Sequence, residues 1–375
     1  MKKWVYSRLN IGIFAGPGTT LGDAIRTKKI IEFLLEEGYE VIDLNSGRTL
    51  RNNKAHLKSA LLLKIGRSFL ASIPSLNYIY LLRLSKNLKK KIQQAKIDIL
   101  QCETTIPAYI GSLALKHTKI PLIFDMHGLS AEQALMEGKS HSMVNYIRRI
   151  QIETLKASNH IFAVSDLHKK YLQSFVEAEK ITVVPNAGEV RSYFPKSDEN
   201  INVVYGGIFA YWENIPTYIK SAILNTDDRI NFYLLGDGPL RGMLTNLIQQ
   251  LDAPVKYLGK LSREETMNFF DKCHIGILTS SGDVARQIAC PIKLFDYMSC
   301  GLPILSEDVG WWPQLIRKYE VGLVVRCNSP AQLYEGIHHL AINNHRRKQM
   351  SQNARKLICE EYNWKKQLSK MVFSA

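Results

Sequence analysis

One segment of the chain, PIKLFDYMSCGLP at 291–303, places a lysine and a carboxylate between the signals that begin and end a short helix. Pro291 suits the first helical position, where its missing N–H has no role, and Gly301 suits the left-handed residue that follows a helix. Lys293 lies in the first turn, where free backbone N–H groups also attract anions. Asp296 lies one turn later on the same face. This spacing suits a diphosphate at Lys293 and a ribose diol at Asp296; the alternative is a capped helix with a surface ion pair.

A histidine follows a strand-like run in the first half of the chain. His127 comes directly after the run PLIFD and Met126, which places it at the carboxyl end of a predicted strand, where parallel sheets bind their ligands. An imidazole there can donate to a sugar hydroxyl or to a phosphate oxygen. The alternative is a loop histidine bonded to the backbone. We interpret Asp125 as a structural residue that orients this loop.

The loop after the first strand-like run reads GPGTTLGD at 16–23. It is not a P-loop, because no GK[ST] follows at the required spacing, and Leu21 occupies the third glycine position of a GxGxxG pattern. Gly18 and Thr19 remain candidates to bring backbone N–H groups close to a diphosphate. A plain tight turn is the alternative.

The elements that position these residues alternate between short β-branched runs and amphipathic helical patterns. The predicted strands are IGIFA, YEVIDL, IDILQC, PLIFDM, HIFAVS, ITVVPN, INVVYGG, INFYLLG, VKYLG, HIGILTS, LPILSE and VGLVVR. The predicted helices include Ile25–Glu37, Val144–Ala157, Leu240–Leu251, Glu264–Cys273, His345–Glu361 and Asn363–Phe373. Such alternation predicts an α/β fold whose parallel sheets are covered by helices on both faces.

The alternation occurs twice, and 375 residues are enough for two domains. The segment 187–200 is rich in charge and poor in periodic pattern, so we predict the hinge there. We expect a doubly wound N-terminal domain over 1–190 and a second doubly wound domain over 200–350. The helices of 351–375 are expected to pack back toward the N-terminal domain. Two such domains would face a cleft lined by the carboxyl ends of their strands.

The segment 291–303 resembles the signature P-x-K-L-F-E-Y-M-A-x-G-x-P of the family 4 (group 1) glycosyltransferases, with Asp for the usual Glu. Other blocks resemble the family in the same order along the chain: FDMHG (124–128), VSDLHKKYL (164–172), VVPNAGE (183–189), LLGDGPLRGML (234–244), YLGKLSREE (257–265) and the Trp of Tyr362–Trp364. The order and spacing of the blocks, over nearly the whole chain, carry the resemblance.

The resemblance implies a GT-B fold of two Rossmann-like domains, an N-terminal acceptor-side domain over 1–190 and a C-terminal nucleotide-sugar-binding domain over 200–350. It also implies a retaining, metal-independent transfer of a sugar from a nucleotide sugar, with His127 positioning the donor sugar. The donor-binding residues that follow from it are Gly18, Thr19, Gly207, Gly236, Gly238 and Asp296. The sequence contains no DxD, no HExxH and no Cys/His cluster with metal-ligand spacing, so we expect no metal and no cofactor.

The chain departs from the family pattern in two ways. The acid that usually precedes Asp296 would fall at Ile288, and Asp283 is the candidate substitute from the same loop. The stretch YGGIFAYWENIP, 205–216, lacks the Arg and Lys that many members carry. The diphosphate charge would then rest on Lys293, Arg286 and helix N-termini. Two alternatives therefore stay open: a non-catalytic nucleotide-sugar-binding subunit, and a nucleotide-sugar epimerase that uses His127 and Glu103.

The net charge of +15 is concentrated in residues 48–96, which hold twelve Lys and Arg and no Asp or Glu. Two apolar stripes run through this segment at helical spacing, one from Leu57 to Phe69 and one from Leu81 to Ile92. Basic residues flank them, and the candidates for membrane or acceptor contact are Lys58, Lys64, Arg67, Lys89, Lys90 and Lys91. This pattern predicts contact with an anionic membrane. The resemblance implies that the acceptor binds in this N-terminal domain, and a glycan or lipid-linked acceptor would fit the basic segment. The alternative is a pair of core-facing helices with a solvated basic face.

Composition limits the cellular compartment and the kinds of partner that we expect. Six cysteines occur without a CxxC pair, which indicates a reducing cytosol rather than a disulfide framework. The run IGIFAG is too short for a signal peptide, and no apolar run reaches the length of a spanning helix. The basic segment lacks interleaved stacking aromatics, so we expect no nucleic-acid partner. We predict a cytoplasmic protein, peripheral on the cytosolic face of the membrane, in cell-surface polysaccharide biosynthesis.

Overall fold

A computed structural model of the chain describes residues 9–15, 21–46, 48–50, 74–192, 196 and 199–371. The described residues form two compact units. The first unit extends to Pro185 and also takes in Leu368–Met371, and the second unit spans Asn186–Gln367. Five of the candidate residues lie outside the described residues: Gly18, Thr19, Lys58, Lys64 and Arg67.

The first unit is built on a sheet of seven described strands in the order β3-β2-β1-β4-β5-β6-β7. The strands are β1 (Asn10–Phe14), β2 (Glu40–Asp43), β3 (Arg48–Leu50), β4 (Ile99–Glu103), β5 (Leu122–Met126), β6 (His160–Ala163) and β7 (Ile181–Val183). The helices are α1 (Leu21–Glu36), α2 (Pro74–Ala95), α3 (Thr105–Ala114), α4 (Ser130–Met136), α5 (His141–Ala157) and α6 (Asp166–Leu172), with a 3-10 turn at Ala178–Lys180. Only β3 runs antiparallel to its neighbour.

The second unit has a sheet of six described strands in the order β10-β9-β8-β11-β12-β13, all of them parallel. The strands are β8 (Ile201–Ile208), β9 (Ile230–Asp237), β10 (Val255–Gly259), β11 (Ile275–Leu278), β12 (Ile304–Glu307) and β13 (Gly322–Val325). The helices are α7 (Ile215–Ala222), α8 (Arg241–Gln250), α9 (Arg263–Phe270), α10 (Val284–Ile288), α11 (Ile292–Ser299), α12 (Trp312–Lys318), α13 (Pro330–Ile342), α14 (Asn344–Glu360) and α15 (Trp364–Leu368).

The apolar composition of the strands follows from burial on both faces. Every residue of β4, β5, β11 and β12 is buried, as expected for parallel strands between two helical layers. All twelve strands that the sequence pattern predicts are present. The sequence pattern did not predict β3, which follows a turn at 44–46 and extends the sheet by one antiparallel edge strand.

Both sheets reverse their strand order, between β1 and β4 in the first unit and between β8 and β11 in the second. At such a point the connections leave toward opposite faces, and a crevice opens at the carboxyl ends of the strands. The candidate residues lie at these ends. His127 follows β5, Gly207 is near the end of β8, and Arg286 and Lys293 follow β11.

Two further expectations concern helices. The final helix is shorter than predicted, since α15 ends at Leu368 rather than continuing to Phe373. Among the helices that the structure describes, none combines the length and the apolar character required to cross a membrane.

Candidate active site

The register of β4 and β5 places two carboxylates side by side. Glu103 is the Cα partner of Asp125, so both side chains leave the same edge of the sheet on the same face. Both residues are completely buried. Two buried carboxylates in contact would repel each other unless cations or protons compensate them. Thr104, which follows Glu103 at the end of β4, has φ 65° and ψ 170°, a conformation that only glycine adopts readily.

Arg26 supplies one of the compensating charges. It lies on α1 one turn before Ile30, on the buried stripe of that helix, and is itself 1% exposed. Its Nε donates to Asp125 Oδ2 at 2.7 Å and its NH2 donates to Asp125 Oδ1 at 2.9 Å. This two-point contact satisfies both oxygens of Asp125. The structural role that the sequence suggests for Asp125 therefore has a partner that sequence reasoning missed.

His127 supplies the second charge. Its Nδ1 lies 2.7 Å from Asp23 Oδ1, at the start of α1. Its Nε2 lies 3.1 Å from Glu103 Oε2 and 3.2 Å from Asp125 Oδ2, between the two oxygens and without hydrogen-bond geometry to either. We call the five residues Asp23, Arg26, Glu103, Asp125 and His127 the histidine cluster. Both ring nitrogens of His127 therefore face carboxylates rather than backbone.

The protonation states follow from these distances. Burial alone would lower the pKa of His127, but the carboxylates of Asp125 and Asp23 outweigh burial and raise that pKa well above its ordinary value. Burial would raise the pKa of Asp125, yet Arg26 and His127 hold it below the ordinary range. Burial and the neighbouring Asp125 raise the pKa of Glu103. His127 is therefore an imidazolium near neutral pH, and Glu103 is the carboxyl that takes up a proton most readily.

The same residues offer ligand atoms to a metal ion. Oxygens of Glu103 and Asp125 and a ring nitrogen of His127 lie within 4.8 Å of one another. A divalent ion would prefer neutral imidazole and unpaired carboxylates. Here Arg26 already binds both oxygens of Asp125, and the imidazole is protonated. The arrangement fits an ion-pair cluster better than a metal site.

In the second unit, Lys293 reaches an acid that sequence analysis missed. Its Nζ lies 2.6 Å from Glu213 Oε2 and 2.8 Å from the Tyr205 hydroxyl. Arg286 NH2 lies 3.4 Å from Glu213 Oε1. We call Tyr205, Glu213, Arg286 and Lys293 the lysine cluster. Burial lowers the pKa of Lys293, and Glu213 counteracts part of that shift.

The helix that carries Lys293 begins one residue later than the sequence predicts and ends as predicted. Pro291 is the residue before α11 rather than its first helical residue, and Gly301 has the left-handed φ of 63° that the sequence predicts. Asn186 holds the loop that leads into the helix, since its Nδ2 donates to Cys290 O at 2.6 Å.

Asp296 has a partner other than Lys293. Arg263, at the start of α9, binds both of its oxygens, with NH2 2.6 Å from Oδ1 and NH1 on Oδ2. Burial raises the pKa of Asp296, although Arg263 opposes that shift. A ribose diol at Asp296 would therefore have to displace Arg263 or share the carboxylate with it.

Asp283 serves as a helix cap. Its Oδ1 accepts from Arg286 N at 3.1 Å at the start of α10, and Ser281 Oγ donates to its other oxygen. Such a cap satisfies backbone N–H groups that the helix leaves unpaired. The structure therefore gives Asp283 a local partner set, which also fixes the backbone that carries Arg286.

The glycines at the strand ends allow close packing of backbone. A Cβ on Gly236 would lie 1.8 Å from Gly207 O, and a Cβ on Gly238 would lie 2.6 Å from Phe209 O. Gly236 also has φ 140°, which side chains rarely adopt. A Cβ on Gly207 would meet Lys293 Nζ at 3.4 Å. These glycines bring β8, β9 and the lysine cluster close together.

For the basic helix α2, the prediction that its apolar stripe contacts a membrane is wrong. Leu81, Leu88 and Ile92 are each 3% exposed, so their apolar stripe faces the core and not a membrane. Lys91 donates to Leu44 O at 2.8 Å and to Asn45 O at 2.7 Å, so its ammonium is used within the first unit. Lys90 is exposed and Lys89 is half-buried. The first stripe, Leu57 to Phe69, lies outside the described residues.

Two family profiles match the chain, "Glycosyltransferase Family 4" over residues 24–208 and "Glycosyl transferases group 1" over residues 188–357. Together they span residues 24–357, which take in most of both units and the motif blocks described above except Tyr362–Trp364. The chain belongs to the group 1, family 4 glycosyltransferases, and it is a glycosyltransferase with the two α/β domains of the GT-B fold.

Curated relatives agree with this assignment. An uncharacterized glycosyltransferase of Methanocaldococcus jannaschii is 25% identical over 289 residues, which cover 76% of this chain and 77% of that protein. N-acetyl-alpha-D-glucosaminyl L-malate synthase of Bacillus anthracis is 22% identical over 383 residues, covering 96% and 95%. An alpha-1,4-N-acetyl-D-galactosaminyltransferase of Campylobacter jejuni, named for an undecaprenol-linked glycan, is 23% identical over 282 residues, covering 73% of each chain.

Solved structures share the fold. Sucrose-phosphate synthase from Thermosynechococcus elongatus superposes with a TM-score of 0.76 at 16% identity, covering 96% of this chain and 97% of that one. The Anabaena protein HepE, solved in complex with UDP-glucose, has a TM-score of 0.69 at 14% identity, covering 96% and 98%.

Some partners carried a signal in the sequence. Arg26 is a charged residue on the apolar stripe of α1, and a charge in such a position predicts a buried ion pair. Glu213 and Arg263 carried no such signal. Glu213 lies in an irregular loop, and Arg263 lies in a first helical turn that is mostly exposed.

We predict that Gly236→Ala destabilises the protein by at least about 3 kcal/mol, because the new methyl group overlaps a carbonyl and φ is positive. Gly242→Ala is the matched control. It lies on the exposed side of α8 with nothing within 4 Å of its Cβ, so it should stabilise by about 0.5–1 kcal/mol. Urea unfolding measures both values. Equal effects of the two substitutions would contradict the packing role of Gly236.

We predict a pH-dependent loss of stability for His127→Gln. The pKa of His127 is raised in the folded state, so its stabilisation is fully present below the unfolded value near 6.5 and disappears as pH rises through the folded pKa. The substitution should cost about 3 kcal/mol at pH 6 and clearly less at alkaline pH. Urea unfolding from pH 6 to 10 measures this, with exposed His141→Gln as the control. A penalty that grows with pH would contradict the imidazolium.

Proposed function

We propose that the chain transfers a sugar, with retention of anomeric configuration, from a nucleoside-diphosphate sugar to a glycan or lipid-linked acceptor. The observation that carries this proposal is the pair of shielded cations Lys293 and Arg286, each with a side chain 10% exposed, after strand β11. Shielded cations at a strand-order reversal suit a diphosphate. The complex of HepE with UDP-glucose supports a nucleotide sugar as the donor.

The reaction replaces the nucleoside diphosphate at the anomeric carbon by an acceptor hydroxyl oxygen, which loses its proton to the phosphate or to water. Negative charge grows on the leaving diphosphate as its bond to the sugar breaks. Lys293 and Arg286 lower the energy of that charge, because opposite charges attract strongly where water is excluded. In this proposal, His127 remains the residue that positions the donor sugar, as the family resemblance implies. Because both of its ring nitrogens face carboxylates, a sugar hydroxyl would have to replace one of these contacts.

The proposal includes catalysis without a metal ion. The charges that a divalent ion would supply come from Lys293 and Arg286 in the second unit. In the first unit, Arg26 takes the place of a metal on Asp125.

A second candidate is a nucleotide-sugar epimerase. One observation favours it: the structure brings Glu103, Asp125 and His127 into contact, which is an acid–base set able to move protons. An epimerase releases an altered sugar without any acceptor, whereas a transferase needs one. The family assignment favours transfer.

The proposed site of action is the cytosolic face of an anionic membrane. Arg83, Lys86 and Lys90 lie at helical spacing on the exposed face of α2, and Tyr78 and Ile79 are exposed near its beginning. An exposed basic face beside apolar side chains suits anionic lipid headgroups. The undecaprenol-linked glycan in the name of the Campylobacter relative supports a lipid-linked acceptor.

We predict that Lys293→Ala lowers turnover about 100- to 1,000-fold, because a buried cation that stabilises the leaving group is lost. Exposed Lys220→Ala should leave turnover within about twofold. Transfer is measured with a nucleotide sugar chosen by thermal shift, in buffer containing EDTA, with and without acceptor. Unchanged turnover of the Lys293 variant would remove Lys293 from the mechanism. Loss of activity in EDTA would overturn metal independence, and an epimer formed without acceptor would favour the second candidate.

We predict that the protein floats with phosphatidylglycerol vesicles at low salt and is released at about 0.5 M salt, since salt screens exposed charges. Replacing Arg83, Lys86 and Lys90 by Gln should abolish flotation. The matched control replaces the exposed residues Lys220, Lys260 and Lys272 by Gln, which removes the same charge from the second unit. Equal loss in both variants would show that net charge, not α2, binds the vesicle.

A further inference from the structure

Glu213 lies in the loop between β8 and α7 and is 4% exposed. Its Oε2 accepts from Lys293 Nζ at 2.6 Å and from the Tyr205 hydroxyl at 3.0 Å, and Arg286 NH2 lies 3.4 Å from its Oε1. One buried carboxylate therefore contacts both cations of the lysine cluster. No motif of the sequence marks it.

The loop that carries Glu213 is held on both sides. Trp212 O accepts from Ser281 N at 3.0 Å and from Ser281 Oγ at 3.1 Å. Asn214 Nδ2 donates to Glu307 Oε1 at 2.7 Å. These bonds fix the residues on either side of Glu213. The carboxylate is therefore a built part of the cluster rather than a mobile surface acid.

The Arg286 guanidinium has one nitrogen that donates no hydrogen bond to the described residues. Its Nε donates to Ser280 Oγ at 2.8 Å, while its NH2 is shielded from solvent and has no hydrogen-bond partner within the part of the chain that the structure describes. Glu213 Oε1, 3.4 Å away, forms an ion pair with this NH2 but lacks hydrogen-bond geometry, and a buried N–H without a hydrogen bond is costly unless a ligand oxygen completes it. This nitrogen, next to Lys293 and Glu213, indicates where an anionic oxygen would enter.

The charges of the cluster decide which anion fits. Lys293 and Arg286 carry two positive charges, and Glu213 cancels one of them. A nucleotide sugar carries about two negative charges on its diphosphate, and the free nucleoside diphosphate carries about one more because its terminal phosphate titrates near pH 6. A fixed carboxylate beside the cations therefore repels the product more strongly than the donor.

We infer that Glu213 is a specificity-determining residue of the donor site. As a fixed counter-ion of Lys293 and Arg286, it weakens the binding of free nucleoside diphosphate more than the binding of the nucleotide sugar. This inference rests on the proposed function, because it assigns the diphosphate to the lysine cluster. Its consequence is faster release of the product, a step that limits turnover in many enzymes.

Calorimetry on the full chain tests the inference. The probes are UDP, GDP and ADP, the nucleotide sugar of the nucleoside that binds best, and the corresponding nucleoside. Glu213→Gln keeps the shape and one acceptor oxygen for Lys293 and Tyr205 but removes the charge. Glu213→Ala is a second neutral variant in case the first does not fold. Glu213→Asp keeps the charge and is the matched control.

We expect the neutral variants to bind the nucleoside diphosphate at least tenfold more tightly than wild type and the nucleotide sugar by a smaller factor. The nucleoside should bind unchanged, and Glu213→Asp should resemble wild type. Diphosphate affinity that is unchanged or weaker in the neutral variants overturns the inference while the proposed function stands. An equal gain for product and donor also overturns it. Absence of any nucleotide binding to wild type and variants alike overturns the proposed function together with the inference.

Discussion

Parallel strands end at one edge of a sheet, and this constraint organises both units. Where the strand order reverses, two neighbouring strands send their chains to opposite faces, and the side chains that follow them meet at the edge. In the first unit the register of β4 and β5, beside the reversal between β1 and β4, aligns Glu103 with Asp125 at this edge. In the second unit the ends of β8 and β11 bring Tyr205, Glu213 and Arg286 together. Residues far apart in sequence come together because the hydrogen-bonded pairing of the strands fixes where each strand ends.

That same edge is shielded from water, so each charge placed there needs a partner. Asp125 has Arg26 and His127, Lys293 has Glu213, and Asp296 has Arg263. Removing one member of such a pair leaves an uncompensated buried charge, which costs more than the pair contributes. The partners are therefore as much a part of the site as the residues that a ligand touches. They also set the protonation states, as the imidazolium of His127 illustrates.

In the lysine cluster, a buried carboxylate reduces the positive charge that the two cations present. The loop after β8 has no base, and it places a carboxylate against the two remaining cations. The site keeps a positive charge, but a smaller one than Lys293 and Arg286 would produce alone. In the same unit, Gly236 keeps the ends of β8 and β9 close together, since a Cβ at this position would overlap the carbonyl oxygen of Gly207.

The sequence by itself determined the alternation of strands and helices, the short helix ended by Gly301, and the family. These features are local: hydrophobic period, helix-end signals and motif spacing can all be read along the chain. The positions of His127, Arg286 and Lys293 at strand ends were predicted in the same way, because each follows a recognisable strand. The edge strand β3 was missed, since three residues are too few to show a period.

Only the tertiary structure decided the pairing of charges. Glu213 and Lys293 are separated by 80 positions, and Arg26 and Asp125 by 99, so no local pattern links them. It also decided that Leu81, Leu88 and Ile92 face the core, because the same apolar stripe fits a protein interior or a membrane equally well. The sequence shows only that one face of the helix is apolar, and the packing of the other elements decides what covers that face.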